Sequence, residues 1–294
     1  MSVLPTCTAF GTTSLKTKGP LICGRIPEGH IAHLIAATQR PLLCSQALTL
    51  SSRRFAAGAA ALDGRILRDL QAWGKHLLYA FEGRLVLHIH LGMFGRIRPI
   101  GVPLGQGSNR RDPWLVVRGP EYGFELTSPA VCEVLQQSDV TQLLARLGAD
   151  PIRSDDDGGA YGRLVDREEP IGVALLDQSL VAGVGNVYRA EILFAARIHP
   201  EMPACRLEEP QWARIWDLAK RYLRKGVADR GRIVTVPPSA CRGQPGRLTW
   251  AYSQTWCLGC GGRIRRWALA GRVCYACETC QKARGAPGAT DARL

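Results

Sequence analysis

PIGVALLDQSLVAGVGNVYRAEILFAARIHP, residues 170 to 200, reads as a helix, a tight glycine turn and a second helix. Gly183, Gly185 and Asn186 stand at the entry to the second helix. Backbone N–H groups at a helix N-terminus bind anions, and glycines let the backbone approach them closely. Asn186 is a good N-cap, and its amide could also serve a phosphate oxygen. The turn is therefore either an anion cradle or an ordinary capped helix–helix turn.

On the C-terminal side, EEPQWARIWDLAKRYLRKGV (208–227) gives one longer helix. Its apolar face is Trp212, Ile215, Trp216, Ala219 and Leu223. On the N-terminal side, GADPIRSDDDGG (148–159) has the composition of an interdomain linker. Before it lies a string of strand-like segments: LLCSQALTL, GRILRDLQAW, HLLYAF, LVLHIHL, WLVVR and YGFELT. Their spacing predicts a β-sandwich or barrel. A helix leads it, with Ile31, Leu34, Ile35 and Thr38 at helical spacing. His88 and His90 share one face of a strand. With no carboxylate nearby in sequence, they read as core or groove histidines rather than metal ligands.

Five of the eleven cysteines crowd into residues 257 to 280. Pairing Cys257 and Cys260 with Cys277 and Cys280 leaves sixteen residues between the pairs, within the usual four-cysteine zinc spacing of about 15–20. Four thiolates fill a tetrahedral shell, which makes one structural Zn²⁺ the expected cofactor. Cys274 is then an extra thiol. Between the pairs, ALAGR (268–272) predicts a hairpin turn with Arg272 near its tip. Arg272 is either a phosphate or groove contact or a solvated loop arginine.

The net charge of +13 and pI near 9.5 point to a polyanionic partner, nucleic acid ahead of a membrane surface. No apolar run approaches the roughly 20 residues that span a bilayer. An odd cysteine count argues against a secreted disulfide framework. The remaining cysteines read as reduced thiols of a reducing compartment. Residues 1 to 26 contain no acid and seven Ser or Thr, lack a secretory h-region and read as outside the fold.

PEGH before a helix, WGKHLL, HLGMFG, the long LLDQ…GVGNVYRAEILF stretch and a finger ending GRVCYACETCQ follow one another in that order. Together they resemble the formamidopyrimidine-DNA glycosylase and endonuclease VIII family, closer to the endonuclease VIII side, over about residues 27 to 281. The resemblance implies an α+β multidomain fold. A catalytic β-sandwich with its leading helix (27–148) is joined by a linker (149–158) to a helix-two-turn-helix domain (159–245). A zinc-finger hairpin (246–282) and a tail (283–294) follow. It implies a monomeric glycosylase and AP lyase of base-excision repair in a bacterial cytoplasm, at the nucleoid by virtue of its substrate. The partner is damaged or abasic DNA, and no membrane is involved. Oxidised pyrimidines are the lesions implied by the endonuclease VIII side.

It also implies roles. Pro27 matches the N-terminal proline nucleophile, Glu28 the acid beside it and Lys75 the sandwich lysine that reaches the active site. Asn186 and Arg272 match phosphate-gripping residues, and Met93 a residue that fills the gap left by an everted base. Two departures stand out. Ile31 occupies a position where many members carry a second acid, and Pro27 follows twenty-six residues instead of opening the chain. If that extension stays, the expected protein is a zinc-dependent binder of damaged DNA without lyase activity. Without it the charge is +10, still basic.

Overall fold

A computed structural model describes residues 27–100, 113–240 and 248–282. The extension, most of the 99–113 loop and the tail named above lie outside the described residues.

Helix α1 (Gly29–Leu43) starts directly after Glu28. It buries Ile31, Leu34 and Ile35 as its periodicity predicts, and it lies against β2. It also runs further than predicted. The segment LLCSQALTL is not one strand, because α1 continues through Pro41 to Leu43 and only β1 (Thr49–Ser51) is extended. A proline in the last turn of a helix forfeits just one backbone bond. Burying Leu43 completely outweighs that loss. A short helix, α2 (Ala56–Leu62), then precedes β2 (Leu67–Trp73), β3 (His76–Phe81), β4 (Leu85–His90) and β5 (Arg96–Ile100). After them come β6 (Leu115–Arg118), β7 (Gly123–Thr127), β8 (Val131–Gln136) and helix α3 (Gln137–Ala145).

The strands form two antiparallel four-stranded sheets, ordered β1-β6-β7-β5 and β2-β3-β4-β8. Alternation sends Leu70, Leu77, Tyr79, Leu87 and Ile89 of one sheet and Leu115, Val117, Phe124 and Leu126 of the other into a shared core. Tyr79 stacks on Phe124 across the layers at 5.7 Å. On the far face of the second sheet, α3 covers Leu78 and Val86 with Val140.

The helical domain contains α4 (Ala160–Leu164), α5 (Ile171–Ala174), α6 (Asn186–Ala196) and α7 (Glu209–Ala228). The helix read before the glycine turn is only the stub α5, and consecutive turns carry the chain from it to α6. α7 buries all five apolar residues predicted for it. Buried or bonded carboxylates tie the linker down at two points. Asp150 is buried, and Trp212 Nε1 donates to Asp157. Strands β9 (Arg265–Leu269) and β10 (Arg272–Ala276) form the terminal hairpin. Its two-residue turn has positive φ at both Ala270 and Gly271, the twist a tight hairpin favours. Among the described residues no helix is long and apolar enough to cross a membrane.

Candidate active site

Glu28 caps a helix that begins 158 residues later in the chain. Its carboxylate is buried and accepts N–H groups from Val187 (2.7 Å), Gly185 (3.2 Å) and Tyr188 (3.4 Å) at the start of α6. These are the donors that a helix N-terminus leaves unsatisfied, and its dipole favours a negative charge there. Burial nevertheless dominates and pushes the Glu28 carboxyl above the usual carboxylate range, against the downward pull of Lys75 and the three amides. The three amides also fix where the carboxyl sits, and a positioned carboxyl can exchange a proton with a reacting group.

The glycines make that approach possible. A Cβ on Gly185 would stand 2.6 Å from the Glu28 carboxyl carbon, and one on Gly29 would stand 2.7 Å from Gly183 Cα. Gly29 N–H donates to the Gly183 carbonyl at 2.9 Å. The turn read as an anion cradle therefore already holds an anion, the protein's own Glu28. Asn186 is also not the N-cap. Gly185 occupies that position and Asn186 is the first helical residue. The capping bonds come from Glu28, which leaves the Asn186 side chain for other partners. Gly185→Ala should lower stability by about 1–3 kcal/mol and displace Glu28. Gly162→Ala, whose added Cβ meets nothing within 4 Å, should be neutral in the same thermal melts.

Lys75 is the second residue of the Gly74–Lys75 turn between β2 and β3. That turn is pinned by Asp150, which accepts Gly74 N–H at 2.7 Å, Ile152 N–H at 2.8 Å and His33 Nε2 at 2.7 Å. These bonds hold the Asp150 carboxyl below its usual range despite burial, with His33 the main cause. Burial lowers the Lys75 ammonium's pKa, Glu28 raises it and Arg272 lowers it again, with a net downward shift. Lys75 thus lies within electrostatic reach of both Glu28 and the finger.

The finger is fixed by buried polar groups. Asn186 Nδ2 donates to the Val273 carbonyl at 3.0 Å, and Arg189 Nη2 donates to the same carbonyl at 2.8 Å and to Asn186 Oδ1 at 2.6 Å. Arg189 is completely buried. The next residue along, Arg272, is thereby directed toward the sandwich, where Nη1 donates to Met93 Sδ at 3.1 Å. Met93 and its neighbour Phe94 are both exposed, at 56% and 72%. Glu191, buried on α6, accepts N–H groups from Trp250, Ala251 and Tyr252 and anchors the chain entering the finger. Cys274 is buried beneath the hairpin.

The structure thus gathers Glu28, Lys75, Arg272, Met93 and Asn186 into one connected set, with half-buried Pro27 next to Glu28. Sequence reasoning missed Arg189, Asp150 and Glu191. An arginine one turn after Asn186 on an otherwise apolar helix was the available signal for Arg189.

The Sγ atoms of Cys257, Cys260, Cys277 and Cys280 all lie within 4.8 Å of one another, with 3.7 Å between 257 and 280 and 3.4 Å between 260 and 277. A tetrahedral zinc with Zn–S bonds of about 2.3 Å spaces its sulfurs at about 3.8 Å. The four donors fit such an ion and leave no open position. Gln281 locks the second pair in place by accepting Cys277 N–H and donating to the Ile198 carbonyl, both at 2.9 Å.

A two-layer sandwich, a helix-two-turn-helix unit and a four-cysteine hairpin that converge on one buried carboxylate define the formamidopyrimidine-DNA glycosylase class of fold. Known proteins agree. Residues 31–119 match the formamidopyrimidine-DNA glycosylase N-terminal domain, and residues 147–237 match the formamidopyrimidine-DNA glycosylase H2TH domain. Endonuclease 8 1 of Mycobacterium tuberculosis is 38% identical over 274 residues, covering 87% of this chain and all of that protein. The formamidopyrimidine-DNA glycosylase of Gloeobacter violaceus is 31% identical over 241 residues, 76% of this chain and 82% of the relative. Lactococcus lactis formamidopyrimidine-DNA glycosylase, crystallised non-covalently bound to DNA with an AP site, superposes with a TM-score of 0.75 at 22% identity, over 87% of this chain and all of that one. The chain belongs to the formamidopyrimidine-DNA glycosylase and endonuclease VIII family.

Proposed function

We propose that Pro27, once it is the N-terminal residue, is the nucleophile of a DNA glycosylase and AP lyase of base-excision repair, the activity that goes with this family. The observation that carries the reading is the buried Glu28 carboxyl, seated on the α6 N-terminus beside Lys75 and one residue from Pro27.

The target is C1′ of a damaged nucleotide taken out of the stack. The Pro27 amine bonds to C1′ while the C1′–base bond breaks, and the base leaves with the electron pair and takes up the proton that the Pro27 nitrogen gives up. Glu28 protonates the ring oxygen as the C1′–O4′ bond opens, which leaves an iminium between Pro27 and the sugar. The iminium acidifies C2′–H, and loss of that proton expels the 3′ phosphate. A second elimination expels the 5′ phosphate.

The nucleophile must be unprotonated at neutral pH. An α-amino group titrates near 8 and lysine near 10.4, so a lysine would have to be lowered by about 2.4 pH units to match. A terminal proline needs far less, and the Lys75 cation lowers it further. Arg272 and Asn186 serve the backbone phosphates, Met93 fills the vacated stack, and Cys257, Cys260, Cys277 and Cys280 hold one structural zinc. One chain supplies every group of the site, in keeping with a monomer.

The test is borohydride reduction of the chain beginning at Pro27 on an abasic duplex. The expected result is a covalent protein–DNA adduct together with strand scission. Binding with neither adduct nor scission would make the protein a damaged-DNA binder instead.

A further inference from the structure

Three histidines and a carboxylate cross the outer face of the second sheet, directly beside the turn that presents Lys75. The antiparallel register places His76 opposite His90, and His88 opposite Glu133. This supplies the acidic partner that local sequence did not. His88 Nδ1 lies 2.9 Å from Glu133 Oε1, and His88 Nε2 lies 2.8 Å from His76 Nδ1. His88 is buried, whereas His76 and His90 are half-buried with ring centroids 4.9 Å apart. Among the described residues no protein group bonds His76 Nε2, and that atom is not sealed from solvent.

The protons on this chain are set by its carboxylate end. An ionised Glu133 only accepts, so His88 donates Nδ1–H to it and keeps Nε2 as an acceptor. His76 then donates Nδ1–H to His88, which leaves a bare lone pair on His76 Nε2. In that state the chain offers nothing to an anion. One added proton changes this. It settles on His76 Nε2, the charge spreads over the two imidazoles opposite Glu133, and an N–H donor faces outward.

We propose that the Glu133–His88–His76 chain is a proton-gated phosphate contact: the phosphodiester backbone of the bound strand draws one proton from water onto His76 Nε2 and accepts a hydrogen bond from it. The inference rests on the DNA-processing reading above and adds a contact to it.

The surroundings keep the gate shut until DNA arrives. Burial, then His90, His88 and Lys75, hold His76 down to about 3, and burial, Lys75 and His88 hold His90 at about 4. Both are therefore neutral at pH 7 in the free protein. Glu133 faces the cluster from β8, and the Arg153 guanidinium lies 4.7 Å over the ring of Trp73, the cross-strand neighbour of His76. Arg272 acts on Lys75 from the finger. A phosphodiester set into this cationic surround shifts His76 toward protonation.

The experiment measures the affinity of the full chain for a duplex carrying a tetrahydrofuran abasic analogue, from pH 7.5 to 5.5 at fixed salt. Proton uptake is read calorimetrically in buffers of different ionisation heat. Linkage of one proton steepens the pH dependence by up to about tenfold per unit. Wild type should tighten as pH falls and take up a growing fraction of one proton toward pH 5.5, because an opposite charge raises a neighbouring pKa by about 1–3, whereas His76→Phe should show neither. His76→Gln, which carries a fixed N–H donor, should bind with a flat pH profile. Glu133→Gln, whose amide can donate to His88 Nδ1 and reverse the chain, should also flatten the profile while keeping affinity at pH 7.5. Thermal melts establish that each variant is folded. Equal slopes and equal uptake in wild type and His76→Phe would overturn the contact and leave the glycosylase reading standing. No binding at any pH would sink both.

Discussion

The 294-residue chain beginning at Met1 should bind an abasic duplex, yet form no borohydride adduct and cut no strand. The chain beginning at Pro27 should do all three. The contrast is one of bonding. With Ile26 attached, the Pro27 nitrogen is a tertiary amide whose lone pair is delocalised into the carbonyl. It is neither basic nor nucleophilic. Freed, it is a secondary amine in the titration range of an α-amino group, near 8. Lys75 is the only other amine that the described residues place in electrostatic contact with Glu28. Its pKa is lowered by burial and only partly restored by Glu28. As a substitute nucleophile it should leave the longer chain at least about 10³-fold slower, a deficit of roughly 4 kcal/mol in barrier. DNA binding should survive in both chains, because Arg272, Asn186 and the basic surface do not depend on the Pro27 nitrogen. Mass spectrometry of the adducts and of the native N-terminus decides the matter. An adduct on an intact longer chain would require a different nucleophile, and Lys75→Ala in that chain would then identify it.

What the sequence revealed and what it hid divide along a physical line. Features set by local spacing were legible: the apolar stripe of α7, the Cys257–Cys260 and Cys277–Cys280 pairs, and the ALAGR turn that leaves Arg272 at a hairpin tip. Most core strands were legible too, because one-sided burial imposes a period of two on their apolar residues. Strands β5 and β8 were not read. Pro99 interrupts the first, and the second is half-buried on both faces, so neither alternates cleanly. The partnerships that build the site were invisible for a different reason. Glu28 meets the α6 amides, Asp150 meets Gly74 and His33, and His88 meets Glu133 across separations of 45 to 160 residues. Register and domain docking fix those pairs, and no local period encodes either. The misplaced cap at Asn186 is the clearest case. Asn186 has the right side chain for an N-cap and sits one position from it, but a carboxylate from another domain already supplies the bonds.

Removing the metal should disable the finger while the rest of the molecule stays folded. The finger has little core of its own. Ile264, Tyr275, Cys257 and Cys277 are its main buried contributions, and they pack against Ala190 and Phe194 of α6. A cluster that small cannot offset the ordering of some thirty residues, each costing about 1–2 kcal/mol of backbone entropy. A structural zinc supplies about 10–16 kcal/mol that the metal-free finger lacks. The sandwich core and the α6–α7 core contain none of the four cysteines, so their unfolding should be little changed. The Glu191 clamp on residues 250–252 lies outside the ligand set and should also persist. The hairpin should not. Once β9 and β10 fray, the Val273 carbonyl leaves Asn186 and Arg189, and Arg272 loses its fixed direction toward Met93. Cys277→Ser, or exhaustive chelation of wild type, should release one zinc per chain and raise hydrogen exchange across residues 257–281. DNA affinity should fall at least about tenfold, the cost of roughly 1.4 kcal/mol in lost phosphate contact. Arg272→Ala in zinc-loaded protein separates the two causes. If the finger acts by aiming Arg272, that variant should match the metal-free protein in affinity while keeping normal exchange protection. If full DNA affinity survives the loss of zinc, the hairpin is not part of the grip, and Arg272 is an ordinary surface arginine.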